Sequence, residues 1–173
     1  MLKKFDKTLL KLELVFCEVL IVVLVLVVFM NAVLRLFKNP ISWSTDVAQL
    51  IFAWISFVGA DMALKKDKHA GVDIITSRLS PKVTRILSIV TYIAIIVFLV
   101  IIGRAGAGLA IKNINRKFHS MPISYSSVTF SVPVGCLLMG YTCVRKLMQL
   151  IGKTPDPYKD ELEDPEIQEE EEL

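Results

Sequence analysis

Apolar residues along this chain fall into four long runs, at about 14–37, 45–64, 83–111 and 125–151, separated by three shorter polar connections. A hydrocarbon core about 30 Å thick takes roughly 20 apolar residues of helix to cross. The pattern therefore predicts an all-α integral membrane protein with four transmembrane helices. The first run has VLIVVLVLVVF at its heart. Ahead of it, Leu2, Phe5, Leu9, Leu12 and Phe16 recur at helical spacing while Lys4, Lys7 and Lys11 take another face. That arrangement suits a short amphipathic helix at the interface, leading into the membrane. A cleaved signal peptide is the rival reading. The run is longer than a signal core and no small-x-small cleavage site follows it, so the segment is expected to stay in the mature protein.

The breaks are specific. In KNPISWSTD, Pro40 stops the first helix and Ser44 or Thr45 can cap the second. Asp46 then lies in the first turn, where the helix dipole favours a carboxylate. Along the second run Asp46, Gln49, Ala53, Ser56, Ala60 and Ala63 recur at alternating three and four. Such a stripe of small and polar residues is expected to be the packed face, because lipid offers no hydrophobic drive for helix association. Over 65–80, Val72, Ile75 and Leu79 share one side, opposite Asp73, Thr76 and Ser80. A second short helix lying flat at the interface is expected there. Ser80-Pro81 reads as a cap followed by proline at the first helical position. The third run extends roughly 44 Å as helix, so it must tilt or protrude. Pro133 is expected to kink the fourth.

Charge adds a polarity to this picture. Residues 154–173 carry ten Asp/Glu and one Lys, a local charge of −9, against +12 over 1–153. The chain thus divides into a four-helix membrane domain, 1–153, and an acidic tail, 154–173, whose composition is that of a disordered segment. Basic residues cluster at the ends of spans rather than along one face, which excludes a nucleic-acid surface. With the N-terminus inside, 14 Lys/Arg lie on the cytoplasmic side and 6 on the other. Positive residues near span ends favour the cytoplasm, so both termini are expected there.

Chemistry is sparse. Cys17, Cys136 and Cys143 form no CxxC pair and sit in or beside apolar runs, where they read as small buried hydrophobes. His69 and His119 fall in connections on opposite sides of the membrane, which leaves no convergent ligand set for a metal or haem. No phosphate loop, HExxH or GxSxG is present. No cofactor is expected, and no enzymatic role. Arg104, in GRAGAG, is the intramembrane charge to explain. It can snorkel to the interface, meet a lipid headgroup or a second subunit, pair with Asp46, or touch a substrate directly; Glu18 lies too far away in depth. Gly103 and Ala107 beside it allow close helix approach, inside the unit or to a partner. Trp43 fits an aromatic belt, and Lys65, Lys66, Lys68 and His69 a headgroup-facing boundary. Four spans with an apolar midplane suggest a helper or anchor subunit, since transporters acting alone usually show repeats and a polar midplane site.

Several short pieces carry a family resemblance. Ser42-Trp43-x-x-Asp46 opens the second run, followed by Phe57-Val58-Gly59-Ala60 and Lys65-x-x-x-His69-x-x-Val72-Asp73, and Pro133-Val134-Gly135 lies in the fourth. Their order over about 10–151 resembles the small membrane subunit (DctQ-type) of tripartite ATP-independent periplasmic (TRAP) transporters. The family more often has Glu near Asp46, and the acidic tail lies outside the pattern. The resemblance implies a non-catalytic subunit in a bacterial inner membrane, with no transport site of its own. It would anchor a large membrane subunit that carries organic acid and sodium ions, while a periplasmic binding protein delivers the substrate. The sialic-acid type is the nearest in kind. Arg104, Trp43, Asp46, Gly103, Ala107, Lys65, His69 and Asp73 are then candidates for partner or lipid contact. An accessory subunit of another membrane complex, or a small membrane redox enzyme, are the alternatives.

The predicted topology has a direct check. A cysteine introduced at Asn115 should react with a membrane-impermeant thiol reagent in spheroplasts, and one at Lys66 only after permeabilisation. The reverse pattern would invert the orientation.

Overall fold

The structure, a computed structural model, describes residues 2–65 and 81–152, with side chains at 2–5, 7, 81 and 82 left aside. Lys66, Lys68, His69, Asp73, the flat helix expected within 65–80 and the acidic tail lie outside the described residues, Lys65 excepted. Five helices are described: α1 (Leu2–Leu36), α2 (Ser44–Lys65), α3 (Pro81–Lys112), the short α4 (Ser126–Thr129) and α5 (Ser131–Gly152). Counting α4 and α5 as one span, four are long and apolar enough to cross a membrane. The amphipathic N-terminal stretch and the first run form one unbroken helix. With 35 residues, roughly 52 Å, α1 must extend well beyond the hydrocarbon.

The turns have local causes. Lys38 takes a left-handed φ of 59° just past α1. The N–H of Asn39 reaches Leu34 O and that of Lys38 reaches Arg35 O, both at 3.1 Å. This pair of bonds is the Schellman closure of a helix, and Pro40 follows where the helix has already ended. Asn31 Oδ1 then accepts the Ile41 N–H at 2.9 Å, folding the connection back on α1. In the last span the break comes at Phe130, between α4 and α5. Pro133, one turn later, has no N–H for the Thr129 carbonyl, which places the interruption there.

The helices pack in the order α1, α2, α5, α3, as an open row. Burial follows that order: in the most apolar 18-residue stretch of each span, 33% is buried for α5 and 22% for α2, against 11% for α1 and 6% for α3. α2 and α5 are therefore the centre, and the outer helices present apolar side chains to lipid on most sides. Contact is closest at small residues. A Cβ at Gly135 of α5 would lie 2.5 Å from Phe57 Cβ of α2. A Cβ at Gly106 of α3 would lie 2.7 Å from Val132, and one at Gly103 3.2 Å from Cys136 Cβ. Leu64, Tyr92, Leu99, Cys136 and Cys143 fill the core between them. All three cysteines are free and buried.

The packed face of α2 differs from the expected stripe. Its buried residues are Ser44, Ile51, Val58, Asp61, Leu64 and Lys65, whereas Gln49, Ser56, Ala60 and Ala63 are exposed. Polar Asp61 and Lys65 pair with each other and with Glu13 and Thr142 on the neighbouring helices, so they turn inward. The small residues have no such need.

Gly135→Ala should destabilise the protein by about 1–3 kcal/mol, since Phe57 Cβ has nowhere to move. Gly108→Ala, where a Cβ meets nothing within 4 Å, should be near neutral. Thermal unfolding in detergent, followed by circular dichroism, separates the two.

Candidate functional site

The end of the row that holds the start of α1 and the ends of α2 and α5 carries a buried cluster of charges. Asp6 and Glu13 are seven apart on α1, hence on one face. Asp61 and Lys65 pair across one turn of α2, with Nζ 2.8 Å from Asp61 Oδ2. The same ammonium forms an ion pair with Glu13 Oε2. On α5, two neighbouring i,i+4 pairs split the work. Thr142 Oγ1 donates to Asp61 Oδ1 at 2.7 Å, and Lys146 Nζ to the Lys65 carbonyl at 2.8 Å. Tyr141 OH donates to Asp6 Oδ1 at 2.8 Å, and the Arg145 guanidinium pairs with Asp6 Oδ2.

Most of the cluster is dry: Asp6 and Asp61 are 0% exposed, Lys65 1%, Lys146 2% and Glu13 3%, while the Arg145 side chain reaches the surface at 19%. Three carboxylates face three cations, which is the condition under which buried charge is tolerated. Lys146 also serves as a C-terminal cap on α2, where carbonyls lack helical partners. Arg85, from the first turns of α3, does the same for α5 by donating to Leu150 O and Ile151 O. Every one of these cations is held by an acceptor of the chain itself, so the cluster reads as a lock between helices. Acid–base chemistry on a substrate would need a group with a free, reachable face.

The opposite end is closed by the 113–125 connection, a small hairpin pinned by the bonds from Phe118 N to Ile123 O and from Tyr125 N to Arg116 O. It folds over α2. Asp46 Oδ2 accepts the Ser120 N–H at 3.0 Å, Gln49 Nε2 donates to Tyr125 OH at 3.0 Å, and Trp54 Nε1 to Ser127 O at 3.1 Å. The Arg116 guanidinium lies 4.7 Å from the Tyr125 ring centroid. Trp43 is 44% exposed at this end, where an aromatic belt would place it.

Two expectations are corrected here. Lys65, expected to face headgroups, is turned inward, because Glu13 and Asp61 converge on it from two helices. Asp46 is not the partner of Arg104: it is engaged by Ser120 on α2's side, while Arg104 is exposed on α3 with α5 between them in the row. Among the described residues Arg104 makes no hydrogen bond or ion pair. It lines a groove of about 600 Å³ between α3 and α5, together with Gly103 and Ala107. Sequence reasoning missed Asp6, Glu13, Tyr141, Thr142, Arg145 and Lys146 as a set. The seven-residue spacing of Asp6 and Glu13, and the i,i+4 spacing of Asp61 and Lys65, were the signals available.

Residues 24–153 match the description "Tripartite ATP-independent periplasmic transporters, DctQ component". The chain belongs to this DctQ family. Its members are transporter permease subunits, and the alternatives of an unrelated membrane complex or a redox enzyme fall away. The chain is 28% identical over 116 residues to the sialic acid TRAP transporter small permease protein SiaQ of Vibrio cholerae, covering 67% of each chain. It is 30% identical over 78 residues to a putative TRAP transporter small permease protein of Haemophilus influenzae, covering 44% of this chain and 48% of that one. A third match is to the sialic acid TRAP transporter permease protein SiaT of Haemophilus influenzae, 27% identical over 67 residues, 39% of this chain and 11% of that one. The chain thus spans about half or less of the second and third relatives. Asp6 and Glu13, the α1 half of the lock, precede residues 24–153, the segment that matches the family.

Lys65→Met should cost about 3–5 kcal/mol, because Glu13 and Asp61 are left buried without their cation. The triple change Glu13→Gln, Asp61→Asn, Lys65→Met should recover a large part of that loss. Unfolding of the wild type and the two variants in detergent measures both, and a triple variant no better than Lys65→Met would show that the charges are not coupled.

Proposed function

We propose that this chain is the small membrane subunit of a sodium-coupled TRAP transporter for an organic acid, with sialic acid the first candidate. Its role is to anchor the scaffold of the large permease subunit in the bilayer. The observation that carries this reading is that the chain's buried charges are matched to one another, leaving an apolar membrane-facing surface suited to holding helices in place. The likeness to SiaQ supports sialic acid. The match to a segment of SiaT, a permease protein, supports association with a large permease subunit.

On this reading the transport site and the sodium sites belong to the large subunit, and a periplasmic binding protein delivers the acid to the hairpin end. The membrane domain is 1–153 and the tail 154–173 is cytoplasmic, in a bacterial inner membrane with both termini inside. The outward-turned small residues of α2, Ser56, Ala60 and Ala63 among them, suit close approach by a helix of the large subunit. Trp43, Asp46, His69 and Asp73 are contact candidates at the two surfaces.

The test is reconstitution into vesicles with the large subunit and the binding protein, under an inward sodium gradient. Uptake of sialic acid is expected only when all three are present, with a C4-dicarboxylate taken up far more slowly. Undiminished uptake without this chain would refute the anchoring role. Preference for the dicarboxylate would refute the substrate alone.

A further inference from the structure

The groove between α3 and α5 has two matched walls. On α3 its lining runs from Ile96 to Ala107, and on α5 from Pro133 to Val144, each at the three-and-four spacing of one helix face. Eleven residues of helix rise roughly 16 Å, about half of a ~30 Å hydrocarbon core. The groove is therefore one leaflet deep. Its surface is apolar except at the ends. One end is the ring of Tyr141, whose hydroxyl is engaged by Asp6. Towards the other lies Arg104, exposed and with no partner among the described residues.

Depth fits as well. Arg104 is eight residues before Lys112, the last residue of α3, about 12 Å along the axis. The α3 span has 30 residues, roughly 45 Å, which exceeds the hydrocarbon by about 15 Å. Shared between the two ends, that overhang leaves Arg104 within a side chain's length of the headgroup level. A cation at the shallow end and an apolar slot running inward from it is the shape of one phospholipid, head and tail.

We propose that this groove binds an anionic glycerophospholipid of the leaflet at the hairpin end, its phosphate paired with Arg104 and one acyl chain lying between α3 and α5. The acyl chain gains little over bulk lipid, since lipid tails are as apolar as the groove. Selectivity must then come from the guanidinium, and occupancy from the empty slot. The two are separable. Gly140 lines the groove and a Cβ there meets nothing within 4 Å, so a side chain can be started into the slot from this position. The site does not depend on which acid the transporter carries.

The full chain, reconstituted in vesicles of equal phosphatidylglycerol and phosphatidylcholine, is extracted and its retained lipid weighed by native mass spectrometry. One phosphatidylglycerol per chain is expected, favoured about fivefold over phosphatidylcholine, the factor that ~1 kcal/mol per basic group implies. Arg104→Gln should abolish the preference, Arg104→Lys should keep most of it, and Gly140→Leu should remove the retained lipid altogether. Thermal unfolding of each variant shows that it is folded; should Gly140→Leu fail to fold, the Arg104 pair decides. An unchanged preference in Arg104→Gln overturns the proposal. So does a photoreactive residue at Leu137, in the groove wall, that in the assembled transporter captures a protein segment of the large subunit rather than lipid.

Discussion

Three helices of this protein are held by charge that has no access to water. Lys65 on α2 bonds to Glu13 of α1 and Asp61 of its own helix, and Thr142 and Lys146 of α5 complete the set. In water the association of such helices would be driven by apolar burial; in lipid that drive is missing and directional contacts take its place. The cluster fixes more than proximity. Because each carboxylate and ammonium loses its partner if a helix slides by a turn, it fixes register and depth together. Its neutrality matters, since an unmatched charge at this place would draw in water or pull the helices apart.

The fourth helix is joined by other means. α3 packs on α5 through Gly103 against Cys136 and Gly106 against Val132, with Arg85 donating to the end of α5. Small residues let the backbones approach, and dispersion contacts replace ion pairs. Such an interface has no preferred depth of its own, apart from the Arg85 contact at one end. Where Gly140 and Ala107 leave space the walls part into the groove that holds Arg104. Two kinds of helix contact thus coexist in one row, one locked by charge and one fitted by shape.

What the sequence made legible follows from the same physics. Runs of apolar residues long enough to span a bilayer leave one structural option, so four helices and the buried cysteines could be read directly. The Ser42-Trp43-x-x-Asp46 opening and the Pro133-Val134-Gly135 run, in their order, were enough to point to the DctQ family. The inside of the row was not legible. In a soluble helix the polar face marks the outside, but in α2 Asp61 and Lys65 mark the inside and Ala60 and Ala63 the surface. A single helix does not reveal this, because Lys65 is indistinguishable from a headgroup anchor until Glu13, 52 residues away, is placed beside it. Arg104 and Asp46 looked like a pair for the converse reason. Both lie towards the same end, and only the packing order, with α5 between α2 and α3, separates them.

The open row has a consequence for how such a subunit can serve a transporter. A closed four-helix bundle buries its contacts and offers neighbours one curved surface. A row exposes two broad faces along its whole length, and here only 6% of the most apolar 18-residue stretch of α3 and 11% of that of α1 is buried within the chain. Those faces must be covered by lipid or by protein. Rigidity across the row, from the ion cluster at one end and the hairpin clasp of Asp46, Gln49 and Trp54 at the other, makes it behave as a plate rather than four independent helices. A plate of fixed depth resists displacement along the membrane normal, because moving it would carry charged ends into hydrocarbon. That resistance is what the proposed anchoring role would need, and it arises here from charges paired within the chain itself.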